Sequence, residues 1–374
     1  MTRKLRSNLE PGTALWAGRI AQWRALGISD EDMAKPKIAI VNSSSELSSC
    51  FSHLDGVAAE IKAAIRAAGG LPFEVRTAAP SDFITSVGRH GAYILPSRDL
   101  IAADIEVQVE GAQLDGMVCL ASCDKTTPGQ LMAAGRLDIP SLVVICGYQR
   151  SGEYRGEHVD IEEVFLKSGS VASGGITVDE LKAMANVAVQ SPGVCAGMGT
   201  ANSMHTVCEA LGMALPGSAP VAALSPKMLG FVRLAGARIV EMVWQDLKPR
   251  QIITAGSVRN AVAIVLALSG SINCVKHLQA IATEAGVDVD VYGLFADLAD
   301  KIPLLAAIRP NGPGLIEELE AAGGARAVLK RLEPFLDLEA RTVTGTTLRE
   351  VLADVTVADE RVIRPLAAPL STRP

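Results

Sequence analysis

Short apolar runs alternate along the first part of the chain with longer segments in which apolar residues recur every three or four positions. Residues 37–41 (KIAIV), 71–77, 116–120 (GMVCL) and 141–147 (SLVVICG) are such runs, and each reads as a buried strand. Between them, 54–68, 97–111 and a segment entered near Pro128 carry helical period. Gly69 and Gly70 close the first of these helices, Ser97 stands where an N-cap belongs in the second, and Pro128 lies near the start of the third. Strands alternating with helices on this spacing predict an α/β fold with a doubly wound, mostly parallel sheet over residues 36–150.

The flanking parts read differently. Residues 1–35 are polar with scattered apolar positions, and Trp16, Ile20, Trp23 and Leu26 share one helical face, which predicts an amino-terminal helical segment packed on the core. After residue 150 the stretch GYQRSGEYRGEHVD is polar and loop-like, and helical period then dominates at 177–190, 200–213, 225–245, 258–268 and 273–285. Residues 151–374 are therefore expected to form a mainly helical second half. From about 310 come a further helix, a Gly-rich turn and the ending RVIRPLAAPLSTRP, which reads as extended with no partner in view.

Composition narrows the function classes. The chain has 374 residues, 49% apolar and 20% charged, enough for a large core and too apolar for disorder. A formal charge of −6 without a long basic block argues against nucleic acid and leaves small anionic substrates open. The opening MTRKLRSNLE is followed by no apolar signal-peptide core, and apolar stretches such as 261–268 are too short to span a bilayer, so a cytoplasmic protein with no membrane partner is expected. Seven scattered cysteines fit reduced thiols or metal ligands better than a disulfide framework.

The candidate chemistry gathers at 120–128, LASCDKTTP, which follows a strand and enters a helix. Cys123, Asp124 and Lys125 should stand at the carboxyl end of that strand, the edge where open α/β sheets bind ligands. Cys50 and Cys195 likewise lie in polar or Gly-rich loops just before helices. Three thiols meeting at one sheet edge would suit a soft metal or an iron–sulfur cluster, although a single such cysteine more often has a structural role. Cys119, Cys146, Cys208 and Cys274 sit inside apolar strands or helices and read as small core residues. Asp82 and Asp124 are oxygen donors for a hard dication or, equally in kind, partners of Lys125 in a salt bridge. The five histidines show no HxxxH spacing and read as packing or hydrogen-bonding residues.

Several longer motifs go beyond pattern. CDKTTPGQLMAAGRLDIP, PGVCAGMGTANSMHTVCEALGMALPGS, SGSINCVKHLQAIATEAGVDVD and TVTGTTLRE resemble, in order, the signatures of the dihydroxy-acid and sugar-acid (phosphogluconate, xylonate, arabinonate) dehydratase family. NSSSELSSCFSHL and ILPSRDLIAADIE are similar to its first cysteine loop and the helix that follows. The resemblance implies a hydro-lyase that turns a 2,3-dihydroxy carboxylic acid, a sugar acid or a branched-chain dihydroxy acid, into a 2-keto acid. It implies an iron–sulfur cluster, 2Fe-2S or 4Fe-4S, on Cys50, Cys123 and Cys195. It also implies Mg2+ on Asp82, Asp124 and Lys125, the last a catalytic lysine carbamylated to become a ligand. A homodimer or homotetramer is expected, with a small dihydroxy acid as the ligand.

The chain departs from the family in three places. SSSELSSC lacks the usual aromatic residue and the Pro before Cys50, and SDF replaces the commoner SDG at Asp82. Family members also continue into a β-rich carboxyl-terminal domain bearing a further Mg2+ glutamate and the serine proposed as base, so this chain is expected to lack that domain and to turn over poorly alone. Two rival readings are a shortened, non-catalytic remnant that binds metal or dimerises, and a cysteine hydrolase built on Cys123, for which no local signature is present.

Overall fold

The computed structural model describes residues 4–374. Four parallel strands, β1 (Lys37–Asn42), β2 (Leu71–Arg76), β3 (Gly116–Ala121) and β4 (Ser141–Ile145), form a sheet of order β2-β1-β3-β4. Every residue of β1, β3 and β4 is buried, as unbroken apolar runs require when helices cover both sheet faces. The amino-terminal helices are α1 (Ala14–Ala25) and α2 (Asp30–Met33), and the crossovers are α3 (Leu54–Ala67), α4 (Ile94–Val109) and α5 (Thr126–Leu137). In α3 the residues Leu54, Val57, Ala58, Ile61 and Ile65 make the buried stripe, and Gly69 ends the helix at φ +86°, a conformation that only glycine adopts without strain.

The strand order places the chain reversal between β1 and β3. From β1 the chain crosses to β2 on one side, and from β3 it crosses to β4 on the other. The loops leaving the carboxyl ends of these two neighbouring strands therefore part from each other and leave a crevice, the position where doubly wound sheets bind ligands. Cys50 is in the first of these loops and Cys123 in the second.

Residues 152–159, expected to be loop, form a hairpin of β5 (Gly152–Tyr154) and β6 (Glu157–Val159), followed by α6 (Ile161–Ser168) with Asp160 accepting from the Glu163 amide as N-cap. The helical half then runs through α7 (Val178–Ala188), α8 (Thr200–Ala210), α9 (Pro226–Gln245), α10 (Ala255–Ala267) and α11 (Asn273–Glu284). The shorter α12 (Val291–Ala299), α13 (Ile316–Ala321), α14 (Gly324–Arg331) and α15 (Leu348–Leu352) complete it. Helix α9 packs on α3 and on β3 and β4. One hydrophobic core accordingly runs from the sheet into the helical half, and no β-rich domain occurs among the described residues.

Three expectations are corrected. The amino-terminal helix forms, but none of its residues is buried and Leu26 is 72% exposed. Instead of entering the core, Trp23 lies against Phe73 at a centroid distance of 5.0 Å and carries Arg19 over its ring. Residues 1–3 of that segment lie outside the described residues. Helix α4 starts at Ile94 rather than Ser97, whose hydroxyl donates back to the Ile94 carbonyl (2.6 Å) within the first turn. The ending does find a partner. The Leu304 amide donates to the Ser371 carbonyl (3.0 Å), the Leu370 amide to that of Leu304 (2.9 Å), and Ile363 is fully buried.

Candidate metal centre

Two cross-links draw the Cys50, Cys123 and Cys195 loops together. The Ser122 hydroxyl donates to the Cys50 carbonyl (2.6 Å), and the Gly193 amide donates to the Ser49 carbonyl (3.1 Å). Each loop is also pinned from behind. Thr126 donates to the Cys123 carbonyl (3.0 Å), and the Asn202 amide donates to the carbonyls of Cys195 and Gly197, both at 2.8 Å. Two buried histidines serve the same end: His205 Nε2 donates to the Ser122 carbonyl (3.0 Å) and His53 Nε2 to the Cys146 carbonyl (2.8 Å).

The three thiols meet. Hydrogen bonds from Cys123 and Cys195 hold the Cys50 pKa well below the thiol range, while proximity to Cys50, followed by burial, pushes the other two up. Three thiols buried this close together titrate as a set rather than as independent groups. The other four cysteines are buried and their pKa values are raised by burial, to about 12 at Cys119 and Cys274, which keeps them as neutral small hydrophobes.

Beside the thiols, the buried Lys125 ammonium lies 3.1 Å from Asp82 and 3.6 Å from Asp124. Burial and then the Asp82 charge raise the Asp124 pKa to about 6, so the two carboxyls compete for one cation. Asp82 Oδ1 is buried with no hydrogen-bond partner. Among the described residues no group of three or more His, Cys, Asp or Glu side chains is arranged so that it could hold a metal ion; the Lys125 ammonium is paired with both aspartates.

Two nearby residues escaped the sequence reading. His277 on α11 accepts from Arg98 at Nδ1 (3.3 Å), and burial, then Lys125 and Arg98, lower its pKa to about 3. It is therefore a neutral ring facing the lysine's field. Glu162 on α6 has its pKa raised to about 7 by burial, then by Asp160 and Asp124. The start signal DIEE at 160–163, a cap residue followed three positions later by Glu, marked this helix in the sequence.

The family model described as "Dihydroxy-acid/6-phosphogluconate dehydratase N-terminal" matches residues 35–351. Among curated relatives, a dihydroxy-acid dehydratase of Ignicoccus hospitalis is 41% identical over 359 residues, 95% of this chain and 64% of its own length. One of Methanococcoides burtonii is 42% identical over 352 residues, 93% of this chain and 63% of its own. A third, of Syntrophobacter fumaroxidans, is 41% identical over 349 residues, with 62% of its length covered. The chain thus spans less than two thirds of the length of these relatives.

Proposed function

The chain belongs to the dihydroxy-acid/6-phosphogluconate dehydratase family, and on that premise we propose that it forms the metal-binding part of a hydro-lyase converting a 2,3-dihydroxy carboxylic acid to a 2-keto acid. The observation that carries this reading is the meeting of Cys50, Cys123 and Cys195 beside the Asp82–Lys125–Asp124 cluster at the crevice between β1 and β3.

The donor set fits an iron–sulfur cluster and Mg2+. Three thiolates match a cluster with one iron left open, and the carboxylates of Asp82 and Asp124, with the unpartnered Oδ1, match a hard dication. When bound, the two groups would supply Lewis acidity toward the departing 3-hydroxyl and toward the carboxylate and 2-hydroxyl. Lys125 must first lose its positive charge, because an ammonium repels a dication. Its neutral amine can add to CO2 and release a proton, giving a carbamate whose oxygens join those of the aspartates. Cys50, Cys123 and Lys125 are buried, which strengthens the charge interactions they make, whereas the Asp82 side chain remains 38% exposed to solvent.

The test is anaerobic reconstitution with iron, sulfide, Mg2+ and CO2. A panel of aldonates and alkyl-substituted 2,3-dihydroxy acids is then assayed for 2-keto acid, using this chain and the polypeptide extended to the length of its relatives. Formation of 2-keto acid with either polypeptide supports the proposal, and its absence with both, in protein that has assembled its cluster, overturns it.

A further inference from the structure

The face of α1 that carries Trp16, Arg19, Ile20 and Trp23 has the i, i+3, i+4, i+7 spacing of a buried stripe, yet it meets a cleft and not the core. The cleft holds about 470 Å3, within the range of small-molecule sites, about 300–1,000 Å3. Its other walls are residues 7–11, Met33 of α2 and Lys37, the first residue of β1. Ser7 fastens the amino-terminal wall, its amide and hydroxyl both donating to the buried Asp115 carboxylate (3.1 and 2.6 Å). The cleft thus stands at the amino edge of the sheet. The Cys50 loop leaves the other end of β1, about 20 Å away at about 3.3 Å for each of six residues.

Three cations line this cleft, Lys4, Arg19 and Lys37, and none of them makes an ion pair among the described residues. Lys37 is only 1% exposed. Its ammonium donates to Asn8 Oδ1 (2.7 Å) and to the Met33 carbonyl, and among the described residues its third N–H has no acceptor. Arg19 lies over the Trp23 ring and donates to the Ser7 carbonyl (3.1 Å). Burial, against the opposing field of Asp115, lowers the Lys37 pKa to about 8 and lowers that of Arg19 as well. Both charges are therefore held at a cost that an anion beside them would relieve. The nearby acids do not balance them. Asp30 is paired with Arg24, while Asp115 and the exposed Glu10 offset two of the three cations at most.

We infer that this cleft is a second binding site, for an organic carboxylate with a flat apolar body. Trp16, Ile20 and Trp23 take the body, and Lys37 and Arg19 take the carboxylate. An inorganic anion would leave the rings bare, and a neutral ring compound would leave the ammonium without its counter-charge. The site lies apart from the thiols and aspartates, and the inference does not depend on the dehydratase reading.

The experiment uses the whole chain without cluster or metal. Calorimetry measures binding of 2-naphthoate and of its uncharged analogue 2-naphthamide, and NMR follows the indole N–H signals. Trp16 and Trp23 are two of the three tryptophans, so Trp244 serves as an internal control. 2-Naphthoate should bind at least about tenfold more tightly than the amide, the worth of one hydrogen bond to a charged group. It should shift the signals of Trp16 and Trp23 but not that of Trp244. R19Q and K37M should each remove most of the preference for the acid; R19Q alters a half-buried side chain on the cleft wall and keeps the test open should K37M fail to fold. Equal binding of acid and amide, a preference unchanged in R19Q or in folded K37M, or a shift confined to Trp244 would overturn the inference. Absence of binding would overturn it too, and a dimer in sedimentation would then give this face to a second copy of the chain.

Discussion

Lys125 is where one proton decides what the site can hold. As an ammonium it is paired with Asp82 and Asp124, and under the proposed reading a carbamate there would become their fellow ligand. Arginine keeps the positive charge and cannot take up CO2, so K125R should lower Mg2+ affinity by about a hundredfold, the upper end of what loss of a supporting ligand contact costs. Unchanged affinity, read by calorimetry in bicarbonate buffer, would remove Lys125 from the ligand set. His205 acts at one remove, by holding the Ser122 carbonyl next to Cys123. Burial lowers its pKa to about 4 from 6.5. The unfolded chain therefore takes up the proton first, and the stability that the neutral ring contributes above pH 6.5 is lost as pH falls from 6.5 toward 4. Between pH 7 and pH 5 the stability advantage of wild type over H205Q should shrink by on the order of 2 kcal/mol, at about 1.4 kcal/mol per pKa unit. Asp124, Glu162 and Glu209 have raised pKa values and act in the opposite sense over part of this range, which is why the difference between the two proteins, measured by urea unfolding at both values, is the informative quantity. A gap that does not change with pH would contradict the assignment.

Among the elements, those with a strong period were legible and those shaped by neighbours were not. The four sheet strands and helices α3, α5 and α7 to α11 follow from apolar runs or helical spacing, because tertiary packing reinforces what the local pattern already favours. The β5–β6 hairpin has three residues per strand and lies in a polar, Gly-containing stretch, too short for alternation to register. Helix α6 has no buried residue, so its period marks no core face. The placement of the cysteines before helices was readable, but their meeting depends on Ser122 and Gly193 contacts between distant loops, which spacing does not encode. The α3–α9 contact shows how closely the covering layer is fitted. A Cβ at Gly236 would come within 2.5 Å of the Ala64 Cβ and 3.1 Å of the Ile65 backbone nitrogen, so the glycine is there for close approach of two helices. G236A should force them apart and cost about 1–3 kcal/mol, as overpacking of a filled core does. A urea midpoint equal to that of the wild type would show that the layer yields more easily than this packing implies.

At the level of the whole molecule, one core joins the sheet to the helical half, and the crevice between β1 and β3 receives a loop from each of three distant parts of the sequence. Arg136 fastens the helices behind it, with two bonds to Glu284 (2.8 and 2.7 Å) and one to Glu106 (2.7 Å), so α4, α5 and α11 are held as a unit beneath the lysine and its aspartates. That a family resemblance was readable from the motifs, while the placement of Glu162 beside the Cys195 loop was not, has a common physical cause: the motif residues fill the loops that meet at the crevice, whereas Glu162 is carried on a short helix with no buried residue. The account stands or falls on the thiol trio. Anaerobic reconstitution followed by iron and acid-labile sulfide analysis should find a cluster in the wild type and in C119A, C146A, C208A and C274A, whose thiols are buried in the core, and should find it lost in each of C50S, C123S and C195S. A cluster retained in any one of those three serine variants, or absent from the folded wild type, would contradict it.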